Sequence, residues 1–96
     1  MRRSNVQNIG EVVNELLKEL RIDEKLKEIG IINAWYDIMG KKIQRETGRL
    51  YVKNRVLFVY LKSAVVRNEL MMLKSSVVKA LNEKAGGDII DDIVLR

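Results

Sequence analysis

From Arg49 to Lys74 the chain reads RLYVKNRVLFVYLKSAVVRNELMMLK, and this stretch restricts the fold more than any other. Successive strand side chains alternate faces. Leu50 and Val52, then Leu57, Val59 and Leu61, therefore point to one side. Arg49, Tyr51 and Lys53, then Phe58, Tyr60 and Lys62, point to the other. The aliphatic face suits a core, and the opposite face mixes rings with cations. Asn54-Arg55 lies between the two runs, and asparagine tolerates left-handed geometry, so a tight hairpin is predicted. Ser63 is placed to cap a long helix. Val66, Leu70, Leu73, Val77 and Leu81 form its seam, and Gly86-Gly87 stops it. Arg67, Met71, Lys74 and Val78 share a flank beside that seam and form a candidate protein-docking surface.

The flanking segments supply the remaining elements. Residues 1–7 read as a frayed end, with one domain over 8–96. Asn8 and Glu11 make a capping-box pattern before Ile9, Val12, Val13, Leu16, Leu17 and Leu20, which recur at helical spacing. Asp23 is the expected cap of a second helix to about Met39, interrupted near Gly30. Leu26, Ile29, Ile32, Trp35 and Ile38 or Met39 form its buried stripe. Trp35 is the expected anchor between this helix and the sheet. Gly40 suits a helix end or a sharp bend. Asp88 to Arg96 reads as a last strand, with Ile93 and Leu95 on one face and Val94 on the other. The order is helix, helix, strand, strand, helix, strand: a two-layer α+β domain with helices on one face of a small mixed three-stranded sheet. The last strand is expected beside the first or second.

Ninety-six residues with no cysteine and no histidine lack thiolate ligands, the usual zinc site and the usual general base. There is no phosphate-binding glycine loop and no GxSxG. Asp91 and Asp92 are strand neighbours and point apart. A non-enzymatic protein without cofactor or metal is expected. No apolar run reaches the ~18–20 residues of a membrane span, and MRRSNVQNIGE lacks the apolar core of a signal peptide, so the expectation is cytoplasmic and membrane-free.

The net charge of +5 is concentrated. Residues 38–74 carry nine basic and two acidic side chains, while the flanks are slightly acidic. Such a field favours polyanions. Lys41, Lys42, Arg45, Arg49, Lys53, Arg55 and Lys62 are the candidate phosphate contacts, and Tyr51 and Tyr60 the candidate stackers of bases. The same face also fits an ordinary solvated surface, since strands favour such residues by propensity, or a surface that pairs two copies or takes an acidic partner.

A family resemblance runs through these residues. Trp35, Ile38 and Gly40 give W-x-x-I-x-G. Thr47, Leu50 and Val52 follow, then Ser63, Glu69 and Leu70, Leu73-Lys74 and Leu81-Asn82 before a short closing strand. Over residues 9–96 this order resembles the DciA family. The resemblance implies a KH-like module acting in bacterial DNA replication, close to the nucleoid. It would bind the replicative helicase, assist its loading, and contact single-stranded or branched DNA. Longer members carry an extension, so this chain reads as a minimal single-domain member. It contains no intact GxxG, the loop with which nucleic-acid-gripping KH domains clamp a backbone.

Overall fold

The structure, a computed structural model, describes residues 2–96. Helices α1 (Arg2–Glu19) and α2 (Ile22–Glu46) precede strands β1 (Thr47–Lys53) and β2 (Val56–Leu61). Helices α3 (Ala64–Met71) and α4 (Lys74–Ala85) lead to β3 (Asp92–Leu95). This is the expected α+β arrangement, with helices packed against a small mixed sheet and the third helix divided in two. β2 lies between the others, antiparallel to β1 and parallel to β3. A parallel return needs a crossover, and α3 with α4 provides it.

The strands alternate as the sequence requires. Leu57, Val59, Leu61 and Ile93 are buried, with Leu50, Val52 and Leu95 packed against them. Asn54 and Arg55 both have positive φ, 52° and 63°, which is the pair of left-handed residues that a two-residue hairpin turn demands. β3 is shorter than predicted because residues before it are used otherwise. Asn82 on α4 accepts from the backbone N–H of Ile89 and Ile90 and donates to the carbonyl of Ile90. The ladder continues past Leu95, where Arg96 donates to the carbonyl of Val59 and accepts from the N–H of Leu61.

Helix α2 differs most from expectation. Its N-cap is Arg21, in the left-handed region, with no side-chain cap. Asp23 instead lies in the first turn, where its charge suits the helix dipole. Gly30 interrupts nothing: an added Cβ would meet only the Cβ of Ala85, at 3.8 Å, so this is where α2 approaches α4. The break comes at Gly40, with φ 76° and ψ 173°, a region essentially restricted to glycine. Helix then resumes to Glu46. Two bonds span the bend, one from Trp35 to Thr47 and one from Gln44 to Tyr36. Trp35 Nε1 donates to Thr47 Oγ1 at 3.1 Å, and Thr47 Oγ1 donates to the carbonyl of Ile43 at 2.7 Å. Gln44 Nε2 donates to the carbonyl of Tyr36 at 2.6 Å. Trp35 is fully buried, as an anchor should be. The buried stripe is Ile31, Ala34 and Trp35, whereas Leu26, Ile29 and Ile38 are exposed. The stripe turned because α2 faces both the sheet and α4, and those contacts lie along its middle and last turns.

At the N-terminal end, α1 starts at Arg2 rather than Asn8. No glycine or proline stands between those positions to prevent it. Met1 lies outside the described residues, as do the side chains of residues 2–8 and of Leu17. Ser63 caps α3 through the N–H of Val66, but the single long helix is replaced by a corner at Met72 and Leu73. Leu70, Val77 and Leu81 of the predicted seam are buried and Leu73 is exposed. α3 rests on β2 and β3 while α4 rests on α2 and β3. One straight helix cannot lie over both.

Candidate nucleic-acid interface

The sheet face turned away from the core carries the predicted rings and cations. Register sets Tyr51 opposite Phe58, and Phe58 beside Val94. The Tyr51 and Phe58 rings stack with centroids 4.9 Å apart and planes within 11°. The Arg49 guanidinium lies 5.0 Å from the Tyr51 ring centre and 6.0 Å from that of Tyr60. Cations within about 6 Å of a ring face are attracted by its quadrupole. Arg49, Tyr51 and Tyr60 therefore form one group, with Lys53 exposed at the hairpin end. Lys62 follows β2, and its N–H donates to the carbonyl of Glu46, so the end of α2 adjoins the end of β2. Lys41, Lys42 and Arg45 are exposed on that last segment of α2, beyond the Gly40 bend.

Arg55 is engaged elsewhere. Its Nε and Nη2 donate to the two carboxylate oxygens of Asp91 at 2.9 and 2.8 Å, and Nη1 donates to the carbonyl of Asp88. The Asp88 carboxylate is 3.3 Å away. The hydrogen bond from Arg55 holds the Asp91 carboxyl below its ordinary value, and the bond to Asp91 holds Arg55 above its own. Asp92 points to Lys74 instead, at 3.7 Å, so the two neighbouring aspartates do diverge. The Arg55 group is best read as a clamp on an unfavourable left-handed arginine.

The predicted docking flank is broken up. Arg67 donates to the carbonyl of Leu61, Met71 ends α3 and is exposed, Lys74 starts α4, and Val78 packs toward the core. They share no single helix face, because the corner at Met72 separates them.

The sequence reading missed one residue of the open face. The Arg96 guanidinium stands 5.9 Å from the Phe58 ring centre. Carrying the alternation of the last strand one step past Val94 would have found it. Two cations thus flank a ring platform on one sheet face. Arginine over a ring keeps guanidinium donors free for phosphate.

Among the described residues, no group of three or more acidic side chains is placed to hold a metal ion. A family model described as Dna[CI] antecedent, DciA, matches residues 8–95. No curated protein and no solved structure matches the chain.

Proposed function

The chain belongs to the DciA family, and from that premise we propose a non-enzymatic adaptor of bacterial DNA replication. It assists loading of the replicative helicase while contacting single-stranded or branched DNA through the outer sheet face. Arg49, Lys53, Lys62 and Arg96 serve the phosphates, with Lys41, Lys42 and Arg45 extending the track. Tyr51 and Tyr60 offer rings to bases. Arg55 contributes least, since three of its five donors already serve Asp91 and Asp88. Such work belongs in the cytoplasm beside the nucleoid. The observation that carries the reading is the Arg49 guanidinium set between Tyr51 and Tyr60 on an uncovered face.

The test is fluorescence anisotropy with labelled single-stranded and forked DNA at two salt concentrations. Phosphate contact predicts a steep loss of affinity with salt, with a slope of roughly −0.7 per neutralised phosphate on single strands. Lys41→Glu with Lys42→Glu should weaken every sequence alike, and Tyr51→Ala with Tyr60→Ala should cost about 1–3 kcal/mol per stacked base. Salt-insensitive binding contradicts contact through the phosphates, and no binding at low salt contradicts DNA contact. Weight then moves to the protein side, read by capture of the purified replicative helicase. The other use of this face, pairing with a second copy or an acidic protein, is favoured by its half-buried rings. Tyr60→Glu would abolish that association without unfolding the chain.

A further inference from the structure

Among the described residues, two of the uncovered apolar patches carry opposite charges. On α1, Ile9, Val12, Val13, Leu16 and Leu20 are each between 47 and 62% exposed. At 100° per residue they fall within an arc of about 100°, as wide as a core-facing stripe. Glu15 and Glu19 border one edge. A soluble helix seldom leaves such a stripe in water. The second patch is the corner between α3 and α4, where Met71, Met72 and Leu73 are exposed, Met72 to 80%. Methionine fills irregular gaps and suits a surface that receives a helix.

The surroundings differ in sign. Residues 9–20 carry Glu11, Glu15 and Glu19 against Lys18, whereas the segment at the corner, residues 67–74, carries Arg67 and Lys74 against Glu69. Arg67 uses only part of its donor set on Leu61, and Lys74 reaches Asp92 only at 3.7 Å. Within one copy the patches do not cover each other, since both remain exposed. The molecule is 62 Å long against 21 and 19 Å across, and an 18-residue helix accounts for about 27 Å of such a length.

We infer that α1 of one copy docks on the α3–α4 corner of a second copy, whose own α1 returns the contact. The result is a closed two-fold dimer with exchanged arms. This covers both patches at once and sets acidic edges against basic ones. Pairing α1 with α1 would bring together segments of the same negative sign and leave the corner open. A two-fold arrangement also closes, whereas one-way docking would run on into filaments.

Sedimentation velocity of the full chain over a concentration series tests the arrangement. A monomer–dimer equilibrium weakened by salt is expected. Leu16→Glu and Met72→Glu should each weaken it at least roughly tenfold, because each places a charge in the docked surface. Both side chains are exposed, so circular dichroism and melting should match the parent chain at concentrations too low for dimers; Leu20→Glu and Met71→Glu serve as second variants. Mixing the two single variants is decisive. The Leu16→Glu copy keeps its corner and the Met72→Glu copy keeps its arm, so a mixed dimer should reappear with one intact contact. A monomer at every concentration overturns the inference. So does a dimer indifferent to Met72→Glu, which would mean α1 pairs with α1 or the sheet face pairs instead, and so does a mixture that stays monomeric.

Discussion

The indole nitrogen of Trp35 is a polar atom inside an otherwise apolar core, and Thr47 both satisfies it and passes a bond to Ile43. This accounts for the joint presence of Trp35, Gly40 and Thr47: one donor, one bend and one hydroxyl that closes the bend. Thr47→Val keeps the shape but leaves the buried N–H unpaired, which should cost about 1–3 kcal/mol by urea denaturation. Thr47→Ser should recover most of it, and an unchanged midpoint for the valine variant would mean the bond contributes nothing. Asp91 is a different case, because both it and Arg55 are exposed. Its carboxyl is held below the ordinary value by the Arg55 bond. The pair's stabilisation is therefore fully present above the unfolded aspartate value of roughly 3.9 and fades as pH falls through the lower folded value. Asp91→Asn should lower the melting temperature slightly at neutral pH and flatten the acid limb of the melting curve. Equal acid limbs in the two proteins would remove the pair from the pH response.

Between Gly30 and Gly40 the same helix holds two glycines with opposite demands. Gly40 occupies backbone space that other residues reach only with strain, so Gly40→Ala should destabilise by about 1–3 kcal/mol. Gly30 has helical backbone, and a Cβ there meets Ala85 at ordinary contact distance, so Gly30→Ala should be neutral or gain about 0.4–1 kcal/mol. Denaturant midpoints of the two variants should move apart, and a shared loss would overturn the distinction. Elements with local signals were legible in the sequence: the alternation in β1 and β2, the Asn54 turn, the Ser63 cap, the stop at Gly86 and the bend at Gly40. The corner after Met71 was not, because Leu70 to Leu73 is uniformly apolar with no breaker. Only the need to reach both the sheet and α2 divides that helix. The stripe of α2 was misplaced for the same kind of reason. Ile29 and Ile31 are equally apolar, and the position of α4 decides which is buried. On the open face, alternation revealed Arg49, Tyr51 and Tyr60. What it could not reveal was the long-range pairing of Arg55 with Asp91.

For the whole molecule, a radius of gyration of 17.0 Å exceeds the roughly 13 Å of a compact chain of about this length. The excess length is consistent with a projecting α1, whose apolar stripe lies outside the core of Trp35, Leu57, Leu81 and Ile93. Amphipathic spacing said that α1 has a face to bury; it could not say whether the cover belongs to the same copy. Stability should accordingly be uneven along the chain. An isolated helix of this length is marginal in water, so in dilute solution α1 amides should exchange hydrogen orders of magnitude faster than those of β2 and α4. Raising the concentration should slow exchange in α1 and at the α3–α4 corner together, while β2 and α4 keep their protection. Coupled slowing at two places distant in sequence is what one shared contact requires. Slow exchange of α1 already in dilute solution would place its stability within a single copy. Slowing confined to α1 would separate it from the corner.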